Sequence, residues 1–355
     1  MSTRTKPAAA SCLRQSKSAP RTLMRQRKTI LPLILLIALL AAAALFSILV
    51  GTRTVSPTVF FDLLAGHRHN DIEGDIIDVR ITRTIWGLII GAALGLAGAG
   101  MQGVTRNPLG DPGILGVNTG AAFAVVAGIT FFGVTSPTLY AVFAFVGACI
   151  ASGVVYTLAS IGQDGATPVK LALMGAAFTA GVGSFTSAFI LLNQNALDDL
   201  RRWQVGSVAG KDLANLWPAG AFIAVGALIL LAGARTINNF ALGDDMAASL
   251  GENVNAKRFL LFIGITLLCG AATALAGPIA FLGLMAPHAM RSLLGADYRV
   301  LLPAAAVFGA VILLIADTVG RIVIPPQEVQ VGVSTIVVGV PVFIYLIRTK
   351  KAVDL

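Results

Sequence analysis

RITRTIWGLIIGAALGLAGAGMQGVTRNPLGDPGILGVNTGA, residues 80–121, starts with two arginines, continues through more than twenty uncharged residues, and stops at a turn holding two prolines. About 20 apolar residues, rising 1.5 Å each, cross roughly 30 Å of hydrocarbon. The stretch therefore reads as a membrane-spanning helix, a short connection and the start of a second span. Gly87, Gly91, Gly95, Ala99 and Gly103 recur at every fourth position and share one helix face. Small side chains there allow close helix packing, so this face reads as a seam. Pro108 and Pro112 cannot continue a helix, and each biases the residue before it, Asn107 or Asp111, away from helical geometry. A rigid turn closed by Asx-type hydrogen bonds is the simplest expectation.

The same pattern repeats outward along the chain. Ten spans are expected, at about 30–50, 82–104, 114–133, 138–160, 170–192, 214–234, 258–276, 278–294, 300–322 and 329–347. Composition agrees: 56% of the residues are hydrophobic and 12% charged, against roughly 25% charged in a soluble domain. The fold class is an all-α polytopic membrane protein. Cys12, Cys149 and Cys269 lie far apart and match neither a disulfide framework nor a zinc template. Residues 1–29 hold eight of the 26 Lys/Arg and read as a basic, disordered cytoplasmic tail, with 30–348 as the membrane domain and 349–355 as a short C-terminal tail. The 30–50 run is long enough to be a retained anchor rather than a signal peptide. With ten spans both termini face one side, and that arrangement puts eighteen Lys/Arg inside and eight outside. The positive-inside rule then makes both termini cytoplasmic.

Ion channels and gradient-driven carriers usually keep ionisable groups at mid-membrane. Here the main such group is Asp317, four residues before Arg321, where an i,i+4 pair would neutralise it. Enzyme motifs are no better represented, since the 206–212 stretch GSVAGKD lacks Walker spacing. A secondary transporter remains the main alternative class, and a membrane-embedded enzyme the third. The loop HRHNDIEGD, 67–75, matches no metal-ligand template and reads as solvated. If the chain is driven by ATP, the energy must come from a partner, which needs a cytoplasmic landing surface. The longest inside connection, RTINNFALGDDMAASLGENVNAKR at 235–258, can supply one, with a short helix over Asp244–Leu250 closed by Gly251. A plain solvated loop would explain its charges equally well.

Four segments together resemble the permease subunits of ABC importers for iron chelates and cobalamin, the FecCD-like family: 80–121 above, LGDDMAASLG (242–251), the 277–321 stretch beginning GPIAFLGLMAPHAM, and VGVSTIVVGVPVFIYLIR (331–348). The resemblance covers about residues 79–348 and implies a type II importer bundle of about ten helices. It also implies a second permease copy or a paralogue, two ATP-binding cassette subunits that carry ATP and Mg, and an extracytoplasmic substrate-binding protein. No cofactor, metal or nucleic acid is implied for this subunit, and its place is the cytoplasmic (inner) membrane. Ferric siderophore is the cargo expected first, with haem or cobalamin as alternatives.

Residue by residue, the resemblance implies a cytoplasmic gate at Asn107, Pro108 and Leu109, with a weaker second element at Thr167 and Pro168. Gly110 stands where the family usually has alanine, which suggests a looser turn. An ATPase-coupling segment falls at about 238–255, carried by Leu242, Gly243, Asp244, Ala248, Leu250 and Gly251. Arg80, Arg83 and Arg321 would receive carboxylates of the binding protein, a task suited to the planar guanidinium. The competing reading for Arg321 is its pair with Asp317, and for all three it is headgroup anchoring. Glu328-Val329-Gln330 replaces the family's common Glu-Leu-Pro, which suggests a less rigid start to the last span.

Overall fold

The computed structural model describes residues 21–65, 72–162, 165–192, 194–210 and 216–349, and among them it contains helices and no strand. In chain order the helices are α1 (Arg21–Leu49), α2 (Pro57–Leu64), α3 (Ile72–Thr105), α4 (Val117–Phe132), α5 (Pro137–Ala159), α6 (Pro168–Leu192) and α7 (Gln194–Gln204). There follow α8 (Leu216–Ala232), α9 (Ala234–Phe240), α10 (Asp244–Ser249), α11 (Val254–Ala276), α12 (Leu282–Leu294), α13 (Tyr298–Ile322) and α14 (Val331–Thr349). A single 3-10 turn, Pro112–Leu115, separates α3 from α4.

Each expected span contains one of these helices, but the lengths differ from the sequence reading. Six described helices are long and apolar enough to cross a membrane, and a seventh crossing is available if α8 and α9, bent by 52°, count as one. The eighth expected span is helical only from Leu282, and its 13 residues reach about 20 Å, short of the roughly 30 Å needed. Hydropathy cannot see the reason: Gly277 and Phe281 take positive φ, 77° and 67°, which holds the chain out of helix until Leu282. α3 differs in the opposite direction. It starts at Ile72, ten residues before the expected span, with Glu73 and Asp75 favourably placed in its first turn. Its 34 residues reach about 51 Å, well beyond a bilayer core. Residues 72–75 of the loop read as solvated are thus helical, while residues 66–71 lie outside the described residues. Likewise α1 already runs through 21–29, part of the stretch read as a disordered tail.

The bundle is built around α3 and α11, each with 78% of its most apolar window buried, against 17% for α1 and 11% for α6. The glycine face of α3 is the seam expected from sequence, and its partner is α13. A Cβ added at Gly95 would stand 2.2 Å from the Ala305 carbonyl, and one at Gly91 would stand 2.6 Å from the Ala310 Cα. On another face of α3, Gly98 lies against the backbone of Gly283 in α12. Backbones meet here without intervening side chains because hydrocarbon solvates leucine as well as protein does, which leaves dispersion at close range as the main helix-joining force. α1 and α13 end together and α14 runs back the opposite way, so α1 begins and α14 finishes at the same end of the bundle.

Candidate functional site

At that end three connections converge. α3 finishes at Thr105, and Asn107 Oδ1 accepts from the Leu109 N–H at 2.9 Å while the Asn107 carbonyl accepts from Gly110 at 2.9 Å. The Asx turn expected from Asn-Pro-Leu is therefore present. It is not loose: a Cβ on buried Gly110 would meet Thr105 Oγ1 at 2.7 Å and the Asn107 carbonyl at 3.1 Å. Glycine here lets the turn close onto the helix end. Asp111 then caps the 3-10 turn, its Oδ1 accepting from Gly113 at 2.7 Å with Pro112 in the first position. Leu109 remains 52% exposed at the tip of the turn.

The second connection is α10. Gly243 precedes it at φ 102° and Gly251 follows it at φ 87°, conformations that few residues other than glycine adopt. The helix runs Asp244–Ser249, one residue shorter than expected, and is closed by Gly251 N–H to Ala248 O and Glu252 N–H to Ala247 O. Glu252 Oε1 also accepts from Thr236 Oγ1 at 3.1 Å and from Asn239 Nδ2 at 3.0 Å, which fastens the end of α10 to α9. Asp244 accepts from Arg258 of α11 at 2.8 Å and from Arg106 of the gate turn at 3.0 Å. Ala247 faces inward and is buried, whereas Ala248 is exposed. Leu242, Met246 and Leu250, four residues apart, are 60%, 54% and 58% exposed. Met246 was not singled out in the sequence, although the spacing of four was there to be read.

The third connection, residues 165–168, carries the weaker gate element. Thr167 Oγ1 accepts from the Lys170 N–H at 3.3 Å, Pro168 opens α6, and the Ala166 carbonyl accepts from Arg258 at 3.4 Å.

At the opposite end sit the three arginines expected to dock a binding protein. They are buried, at 5%, 8% and 2% exposure for Arg80, Arg83 and Arg321. Arg80 donates to the carbonyls of Ile48, Leu49 and Arg53. Arg321 donates to the carbonyls of Ser47 and Val50 and to the hydroxyls of Ser47 and Thr318, and it pairs with Asp317 at 3.2 Å. The last turn of α1 has no basic residue of its own. Guanidinium groups from α3 and α13 take its orphan carbonyls instead, at the negative end of the helix dipole. Arg83 grips both oxygens of Asp317, with contacts of 2.8–3.1 Å, and also binds Glu328. The i,i+4 pair of the sequence reading exists, but the closer partner of Asp317 is Arg83. The start of the last span is pinned as well, by Glu328 on Arg83 and by Val329 N–H to Gly320 O at 2.9 Å. Beside this cluster opens a cleft of about 350 Å³ whose lining includes Arg53, Asp75, Arg80, Arg83, Arg321 and Glu328. Arg53, Asp75 and Glu328 are its exposed charges, and Glu328 is held by Arg83.

Between the ends, α6 offers a long exposed face of small and hydroxyl residues that includes Ala176, Thr179, Ala180, Ser184 and Ser187. Gly181 and Gly183 have open space where a Cβ would be. A cleft of about 610 Å³ follows this face, lined by Asn118, Thr119, Thr179, Ser187, Arg201 and Gln204 among others.

Six described helices long and apolar enough to cross a membrane, charged clusters at both ends and an exposed α6 describe a multi-pass membrane protein, and the relatives make it a transport permease. The chain belongs to the FecCD transport family, whose model matches residues 39–349. It is 41% identical over 315 residues to the ferric enterobactin transport system permease protein FepD of Escherichia coli (strain K12), covering 89% of this chain and 94% of that one. To the siderophore transport system permease protein YfiZ of Bacillus subtilis (strain 168) it is 38% identical over 316 residues, covering 89% and 95%. A solved metal-chelate type ABC transporter in an inward-facing conformation superposes with a TM-score of 0.77 at 26% identity, covering 90% of this chain and 98% of that chain.

Proposed function

We propose that this chain forms the translocation path of an ATP-driven importer for a ferric siderophore, in the cytoplasmic membrane with both termini cytoplasmic. The observation that carries the ATP-driven part is the Leu242, Met246 and Leu250 stripe. Three large apolar side chains stand exposed on a short polar connection at the same end as the proline turn. An exposed apolar patch rimmed by charge is what a partner protein covers. Two ATP-binding cassette subunits with their ATP and Mg fit that surface, and this subunit needs no cofactor of its own. Asn107, Pro108 and Leu109 then gate the cytoplasmic mouth. The exposed face of α6 supports a second permease, copy or paralogue, with the path running between the two. The siderophore cargo rests on the relatives, FepD and YfiZ foremost.

Docking of the binding protein is reassigned in part. Arg80, Arg83 and Arg321 shape the floor of the outer cleft and fasten α1, α3 and α13 together, while Arg53 is the exposed cation among the described residues of its lining, placed to meet a carboxylate. Changing Arg53 to glutamate should weaken binding-protein association and flatten its salt dependence, both read by surface plasmon resonance on the assembled transporter. Equal affinity in the two proteins would remove Arg53 from the docking face.

The whole reading is tested in proteoliposomes holding the permease, its ATPase subunits and the binding protein. Uptake of radio-iron-loaded enterobactin should require ATP on the cytoplasmic side and persist with an ionophore present. Uptake of haem or cobalamin instead would change the cargo. Uptake that follows an ion gradient without the ATPase subunits would overturn the mechanism in favour of a secondary transporter.

A further inference from the structure

Arg106 is the residue that departs most from local preference at the cytoplasmic gate. It follows the last turn of α3 with φ 50°, in the left-handed region, and it is not glycine. Its N–H reaches the Gly103 carbonyl at 3.3 Å, and the next N–H, of Asn107, reaches Gln102 at 3.2 Å. This is the position after a helix where glycine is strongly favoured, because a Cβ in that conformation crowds the neighbouring carbonyl. A non-glycine residue persists there only when its surroundings hold it, and such residues concentrate where conformations switch.

What holds Arg106 is Asp244. One carboxylate oxygen, Oδ1, accepts from Arg106 Nη2 at 3.0 Å and from Arg258 Nη2 at 2.8 Å. The two arginines are unequal poles. The Arg258 side chain is 2% exposed, lies 5.4 Å over the Phe240 ring and donates to the Ala166 carbonyl, so it is fixed among α9, α11 and the 165–168 connection. The Arg106 side chain is 34% exposed and extends along Gly243, whose added Cβ would lie 3.9 Å from Arg106 Nη1.

We infer that the Arg106–Asp244–Arg258 fork ties the coupling segment to the cytoplasmic gate, with Arg106 as the positioning residue that converts displacement of α10 into reorientation of Asn107, Pro108 and Leu109. Asp244 sits in the first turn of α10 and moves with it. When α10 shifts, the carboxylate either keeps its grip on Arg106 or releases it. Released, the backbone at Arg106 relaxes toward ordinary φ and re-aims the three residues that follow. A conformational step of this type needs a bistable element, and a strained residue under a breakable ion pair is one. The inference rests on α10 being the ATPase-coupling segment.

The test uses the assembled transporter in proteoliposomes, with Cys12, Cys149 and Cys269 changed to alanine and a reporter thiol from Leu109→Cys. Labelling by a membrane-impermeant maleimide is compared without nucleotide and with the ATPase trapped by Mg-ATP and vanadate. The parent should show a severalfold change in labelling rate. Arg106→Gly keeps the left-handed turn and removes the tie, so the change should fall below about twofold with ATP hydrolysis retained, a pattern that simple loss of fold would not give. Asp244→Asn should lose the response likewise, and Arg106→Lys, which keeps the charge, should recover part of it. A full nucleotide response in Arg106→Gly overturns the tie. Ala248→Arg separates the two levels: if it abolishes the response while Arg106→Gly does not, the coupling segment stands and the tie falls. If Ala248→Arg responds like the parent, the coupling segment is misassigned and the tie falls with it.

Discussion

Asp317→Ala is expected to cost about 3–5 kcal/mol of stability, the range for removing one partner of a buried charge pair. Asp317 is 1% exposed and faces two guanidinium groups, Arg83 and Arg321, which are themselves 8% and 2% exposed. Truncation would leave like charges side by side, with Glu328 the remaining carboxylate on Arg83 and with carbonyls and the Ser47 and Thr318 hydroxyls on Arg321. The same cluster holds the end of α1 through the carbonyls of Ser47 and Val50, so α1 should loosen from α13 as the pair breaks. Asp317→Asn keeps an acceptor and should cost less. Thermal unfolding of the detergent-solubilised protein, followed by size-exclusion homogeneity, reads both changes. A loss below about 1 kcal/mol for the alanine variant would mean that the cluster is solvated in a way its burial does not suggest.

Ala248→Arg should lower cargo uptake by more than tenfold while the permease itself remains folded. Ala248 is exposed and lies between Met246 and Leu250, so a longer side chain extends away from the buried Ala247 face of α10. Its effect would fall on whatever covers the Leu242, Met246 and Leu250 stripe. Forcing an unpaired cation into an apolar contact costs several kcal/mol, and about 1.4 kcal/mol is already tenfold in affinity or rate. Uptake and ATP hydrolysis measured in the same vesicles should separate, with hydrolysis outlasting uptake. Ala247 is the control: it is buried against its own chain, so arginine there should lower the folded yield instead. Unchanged uptake in the Ala248 variant would remove α10 from the coupling path.

Much of this was legible in the order of residues. The glycine ladder of α3, the Asx turn at Asn107, the glycine-bounded helix around 244–250 and the Asp317–Arg321 pair each arise from residues within a few positions of one another. So does membrane insertion itself, because hydrophobicity over twenty residues is a property of that segment alone. Sequence reasoning went furthest astray where geometry and not composition breaks a helix, as at Phe281. It placed Arg80, Arg83 and Arg321 at the outer mouth, where they line the cleft, but their burial was not legible, because charge next to a span is usually interfacial.

The amino-acid sequence by itself determined that this is a helical membrane protein, roughly where its helices lie and where its chain must turn, since those are local consequences of hydropathy and of proline and glycine stereochemistry. Only the tertiary structure decided which charges meet. Arg83 and Asp317 are 234 positions apart, and Arg106 and Asp244 are 138 apart. A guanidinium at a helix end is an anchor, a docking group or a buried clamp according to what the folded chain brings within about 3 Å of it, and no local rule fixes that.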